Sequence, residues 1–137
     1  MKQIRQESGQ AMLEYAMTSL VLFTMLMFVV DGGRILWNYV AVNEAARVGA
    51  RYAIVHGASS ASPVGPDDYA AITQDIQGSV DGLVATNLTV TATWNPDNNP
   101  GSSVTVRVSY PVQPLTHFFW HDQTLALTSQ STMVIQN

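Results

Sequence analysis

Gly9-Gln10-Ala11-Met12-Leu13-Glu14-Tyr15 opens a run that stays apolar as far as Val30. Ala16 to Val30 carries no charge, and Thr18, Ser19 and Thr24 are its only polar side chains. Counted from Ala11 the segment holds 20 residues. As a helix rising about 1.5 Å per residue it reaches roughly 30 Å, the thickness of a bilayer hydrocarbon core. Lys2 and Arg5 precede it. Basic residues beside a span stay on the cytoplasmic side, so the rest of the chain is expected outside the cytoplasm. One carboxylate, Glu14, sits just inside the leading end. An acidic or basic residue at the centre of an inserted helix costs roughly 2.5–3.5 kcal/mol, and less near the interface. Glu14 is therefore either a juxtamembrane carboxylate reaching to the headgroups or a residue put to use.

Composition narrows the function classes. Of 137 residues, 47% are hydrophobic and only 12% charged, about half the usual charged share, as suits a surface met by lipid or partner subunits. The net charge of −4 and six scattered basic residues leave no nucleic-acid footprint. With no cysteine, disulfides, thiolate metal sites and cysteine catalysis drop out. Basic start and apolar run imitate a secretory signal. However, the run is long enough to span, and Asp31-Gly32-Gly33-Arg34-Ile35-Leu36-Trp37 after it lacks a small-x-small cleavage pattern.

Ile35 to Val55 holds no proline and one glycine. Ile35, Tyr39, Val42, Ala46, Gly49 and Ala53 mark one helical face, and Trp37, Ala41, Ala45, Val48, Tyr52 and Val55 a second. Asn43, Glu44, Arg47 and Arg51 crowd into a narrow polar strip. Such a helix needs packing on most of its circumference, either within its own domain or against partners. Its small residues permit close backbone approach. Gly32 and Gly33, each costing about 1 kcal/mol against alanine in a helix, are a candidate kink or unwound turn. Without it, Gln10 to Val55 is one rod of about 69 Å.

His56 to Pro66 is a loop by its Gly, Ala, Ser and Pro content. Asp67 and Asp68 are expected to cap a second helix carrying Tyr69, Ile72, Ile76, Val80 and Leu83, running to about Val84. The period then becomes two. Leu88, Val90, Ala92 and Trp94 alternate with threonines; Val104, Val106, Val108 and Tyr110 follow, with Pro111 and Pro114 closing that strand; Leu125 to Ile135 alternates again. The prediction is an α+β fold: a long N-terminal helix, a second short helix, and a three- to four-stranded antiparallel sheet packed on the long helix.

Gly9 through Tyr15 resembles the cleavage motif of Tad (Flp-type) pilus subunits, a glycine, four residues, then glutamate and an aromatic. The start is similar to that of the TadE-like family, in which phenylalanine commonly stands where Tyr15 is. Asp31-Gly32-Gly33-Arg34 resembles that family's acidic-x-Gly-Arg element, and Asn43 to Ala53 its Ala-Ala-Arg-x-Gly-Ala-Arg signature. The resemblance covers residues 7–56 well and the remainder in outline. It implies a type IV pilin-like fold, cleavage by a prepilin peptidase between Gly9 and Gln10, and service as a minor pilin or pseudopilin. Glu14 and Tyr15 would guide recognition and assembly, and Arg34, Glu44, Ala46, Arg47, Gly49 and Arg51 are candidate subunit contacts. The early proline of many family members is replaced here by Thr18-Ser19-Leu20-Val21, so any bend falls to the glycine pair.

The implied division is a leader at 1–9, a transmembrane part at 10–30, an extracytoplasmic helical half at 31–56 and a head at 57–137. The implied partners are other pilin subunits, the peptidase, the inner-membrane assembly platform and membrane lipid, with no nucleic acid and no cofactor. Before assembly the chain would sit in the inner membrane, afterwards in a surface pilus. Removing the leader takes Lys2, Arg5 and Glu7 with it, leaving 4 basic and 9 acidic side chains, or −5. The new amine on Gln10 lies about 6 Å along the axis from Glu14. A buried acid tolerates apolar surroundings only when paired, so Glu14 meeting a neighbour's amine would set register. A major pilin and a membrane-anchored binding module that never polymerises are the rival readings.

Other groups weigh less. His117, His121 and Asp122 have helical metal spacing but flank Phe118, Phe119 and Trp120, as an aromatic packing loop would. Asn87-Leu88-Thr89 is a short sequon. The Asn95–Asn99 cluster has one carboxylate, Asp97, among turn residues. No Ser/His/Asp arrangement, phosphate loop or zinc motif supports an enzyme.

Overall fold

The computed structural model describes residues 3–66, 70–116 and 123–136. Helix α1 runs Gln3–Val55, 53 residues, or about 80 Å of rod. Helix α2 spans Ala70–Ser79, a 3₁₀ turn spans Ala85–Asn87, and strands β1 (Thr89–Asn95), β2 (Ser103–Val112) and β3 (Leu125–Val134) follow. The strands form one antiparallel sheet in the order β1-β2-β3. The fold is α+β, as the change of period predicts.

The alternation fixes which side of the sheet faces inward. Val104, Val106, Val108, Tyr110 and Val112 of β2 are buried. Their flanking partners are Trp94, Ala92 and Val90 on β1, and Met133, Ser131, Ser129 and Leu127 on β3. This face packs on the C-terminal half of α1, while α2 packs on α1 from another side through Ile72 and Ile76. Gly49 lies where the three meet. A Cβ there would stand 2.9 Å from Ile76 Cδ1, 3.0 Å from Val106 Cγ1 and 3.2 Å from Ile72 Cγ2. Only a residue without a side chain lets helix, helix and sheet approach this closely. Val42, Ala45, Ala46, Ala50 and Ala53 complete the helical side of the core.

Four expectations change. Helix α2 ends at Ser79 rather than near Val84. Gly82 adopts φ +91° with its α-carbon against the Trp37 indole, a left-handed turn that an α-helix cannot include. Strand β2 continues through Pro111 to Val112, paired with β3 alone, because β1 begins only opposite Ser109. A strand with one open side tolerates a residue lacking an N–H. Asn43 leaves the polar strip: its Nδ2 donates to Tyr39 O and its Oδ1 accepts from Ser129 Oγ at 2.6 Å, tying α1 to β3. Helix α1 also passes unbroken through Gly32 and Gly33, so neither residue unwinds it. The Asp67–Asp68 cap with Tyr69 lies outside the described residues, as do His117, His121 and Asp122.

The end of the head remote from the apolar run is knit by the 95–102 loop. Ala58 N donates to Asn98 O, Asn98 Nδ2 to Val64 O, and Gly101 N to Ile135 O. Asp97 holds this loop in shape, accepting from Asn99 N, Asn99 Nδ2 and Ser102 Oγ. The Ser102 hydroxyl first, then the two Asn99 donors, hold its carboxyl below the ordinary carboxylate range, against a weaker opposing effect of burial.

Candidate functional site

The leading half of α1 stands clear of the head. Gly9 to Val30 is exposed throughout except at Ser19 and Thr24, which are half-exposed. Met12, Leu13, Leu20, Phe23, Met25 and Val29 are each more than 60% exposed. One helix thus displays more contiguous apolar surface than a soluble monomer carries, which marks a membrane or protein contact. It is long and apolar enough to cross a membrane, and none of its most apolar window is buried. Thr18 Oγ1 donates to Glu14 O and Thr24 Oγ1 to Leu20 O. Those hydroxyls are satisfied within the helix, the condition for placing them in lipid.

Glu14 and Tyr15 lie on this exposed half, Tyr15 at 77%. Among the described residues the Glu14 carboxylate has no hydrogen-bond or ion-pair partner. Gly9 and Gln10 are helical and exposed, with open space around the Gly9 α-carbon. None of the described residues therefore occupies Glu14.

At the base of the apolar half the structure places a contact to which sequence reasoning gave no role. Asp31 is buried, and its two oxygens accept from the backbone N–H of Leu115 and Thr116, both at 2.7 Å. Arg34 Nη1 lies 3.6 Å away. Two backbone donors and a guanidinium satisfy a carboxylate that could not otherwise be buried. This acid pins the exit of the apolar run to the segment after β2. Its signal in the sequence is a lone acid directly behind an uncharged run, but its partner lies 84 residues away. Beside it Phe28, Ile35, Pro114 and Leu125 line a shallow apolar cleft.

The remaining candidates separate. Ala46 and Gly49 are inside the chain's own core, which removes them from the candidate subunit contacts. Glu44, Arg47 and Arg51 are exposed, and among the described residues the only ion pair is Arg34 with Asp31. Gly32 and Gly33 face open space. Asn87 is exposed in the 3₁₀ turn.

Searches of the curated proteins and of the solved structures return no significant match. A family model does match: the one described as TadE-like protein, over residues 9–51. Those residues contain the Gly9–Tyr15 motif, Asp31 to Arg34, and most of the Asn43–Ala53 signature. They comprise the exposed apolar helix, the Asp31 junction and the small-residue stretch under the sheet. The family is one of Tad-pilus-associated proteins, and this chain is similar to it over residues 9–51.

Proposed function

We propose that this chain is a minor pilin, or pseudopilin, of a Tad (Flp-type) pilus. One observation carries the reading. A single helix buries one half in a packed α+β head and leaves the other half apolar, exposed and tipped by a carboxylate that no described residue pairs with. Lipid suits that half before assembly, and a bundle of like helices suits it afterwards. In this reading residues 1–9 are a cytoplasmic leader, 10–30 span the inner membrane, 31–56 continue outside, and 57–137 form the head. Prepilin peptidase cuts after Gly9. Glycine costs the helix about 1 kcal/mol there and so eases the unwinding a protease needs. The amine freed on Gln10 pairs with Glu14 of a neighbour, which sets register. Gly32 and Gly33 supply any bend as subunits leave the bilayer, and Arg34, Glu44, Arg47 and Arg51 remain available to neighbours. The assembly platform inserts the subunit into a surface filament that serves adhesion, and the chain performs no catalysis.

Mass spectrometry of the chain in sheared surface filaments tests this. The expected polypeptide begins at Gln10. Glu14→Gln should preserve membrane insertion and greatly reduce recovery in filaments. An uncut chain that never enters filaments would replace the reading with a fixed anchor displaying its sheet. Abundance equal to that of the shaft subunit would make it the major pilin.

A further inference from the structure

The exposed apolar surface does not stop at Val30. On α1 it continues through Leu36, Trp37 and Val40, which are 67%, 68% and 65% exposed. Outside α1, four large hydrophobics are exposed among the described residues: Val84, Leu115, Leu125 and Val134. Three of them gather at this same level. Leu115 donates its N–H to Asp31. Leu125 lines the cleft with Phe28 and Ile35. Val84 follows Gly82, whose α-carbon meets the Trp37 indole.

Charge shows the same boundary. Between Glu14 and Glu44 the only charged residues of α1 are Asp31 and Arg34, and they pair with each other, Asp31 being buried. Toward the head, Asn38 is half-buried, and Asn43 is satisfied by Tyr39 and Ser129. Aromatics bracket the run. Tyr15 stands at one end and Trp37 at the other, 22 residues apart, about 33 Å along a helix and close to the separation of two membrane interfaces. Tyr and Trp prefer that depth because each joins an apolar ring to a polar tip.

We propose that in the membrane-resident subunit the head rests on the outer leaflet, with Leu36, Trp37, Val40, Val84, Leu115 and Leu125 as an apolar collar immersed at the headgroup–acyl boundary. The bilayer surface then lies near Trp37 rather than at Val30, and the Asp31 junction is sealed from water beneath it. Arg34, 44% exposed, reaches from this level toward lipid phosphates, as long basic side chains do at interfaces. Asp81, exposed beside Gly82, stays on the aqueous side. The collar rests on the reading of residues 10–30 as a span.

The chain has no cysteine, so single cysteines report depth cleanly. The full chain carrying Val84→Cys, Leu115→Cys or Leu125→Cys is labelled with a nitrobenzoxadiazole probe. It is reconstituted into phosphatidylethanolamine–phosphatidylglycerol vesicles containing a shallow spin-labelled lipid. Ser59→Cys in the remote loop and Val21→Cys in the span are the references. Quenching at the three collar positions several-fold above that at Ser59 is expected. Strong quenching at Val21 with collar probes no different from Ser59 overturns the collar and leaves the span standing. No quenching at Val21 either overturns both. Collar probes shielded from lipid but self-quenching as protein density rises would assign the face to a second copy, and also overturn the proposal.

Discussion

The two halves of α1 share a helix and an apolar character, yet meet opposite fates. Residues 41–53 bury Ala41, Val42, Ala45, Ala46, Ala50 and Ala53 under α2 and the sheet. Residues 12–30 expose Met, Leu, Phe and Val side chains. Side-chain size separates the buried face of the one from the exposed surface of the other. Alanine and glycine let a sheet and a second helix close onto the backbone, so that half finds its partners within the chain. Large side chains on all sides hold neighbours off and present a wide apolar cylinder, which only lipid or other helices can cover.

Substitutions in the buried half should therefore be costly and those in the exposed half silent, as read by unfolding of the head in mild detergent. The largest loss is expected for Ile72→Ala. Its side chain is fully buried against α1, and the truncation should cost about 2–5 kcal/mol. Gly49→Val comes next, at about 1–3 kcal/mol, because the added carbons collide with Ile76, Val106 and Ile72. A wild-type unfolding curve for Gly49→Val would mean that the helix and sheet approach each other less closely than described.

At the junction between the halves the effect should be local. Asp31→Asn replaces one acceptor oxygen with an amide that faces a donor N–H, so one of the Leu115 and Thr116 bonds is lost with the Arg34 pair. Amide hydrogen exchange at Leu115 and Thr116 should accelerate several-fold, while core amides of β2 keep their protection. A smaller, pH-dependent effect belongs to the far loop. The folded pKa of Asp97 lies below its unfolded value. Its contribution is therefore complete above the ordinary carboxylate pKa of about 4 and is lost as pH falls through the folded value. The thermal midpoint should drop on acidification through that window, and Asp97→Asn should flatten this part of the profile. Least of all, Leu22→Ala in the exposed half should move head stability by less than about 0.5 kcal/mol.

Much of this comparison was open to reading along the chain. The uncharged run to Val30, the two apolar lines over 35–55 and the three alternating segments are periodic signals that the folded chain keeps. The Gly9–Tyr15 motif is likewise a local pattern. What could not be read depended on partners distant in the sequence. Gly82 ends the second helix region early through a left-handed turn against Trp37. Pro111 stays inside β2 because β1 starts too late to pair there. Asn43 belongs by its spacing to the polar strip, but Ser129 of β3 donates to it.

Sequence alone determined that this chain has a membrane-length apolar rod, a switch from helical to strand periodicity, and one carboxylate near the rod's tip. Those properties follow from residue order and the fixed geometry of helix and strand. The tertiary structure decided which stretch of the rod the head encloses, how Asp31 is satisfied, and where exposed apolar surface gathers around the helix. These are set by packing between segments tens of residues apart, where a missing side chain at Gly49 or a free backbone N–H at Leu115 matters more than any local preference.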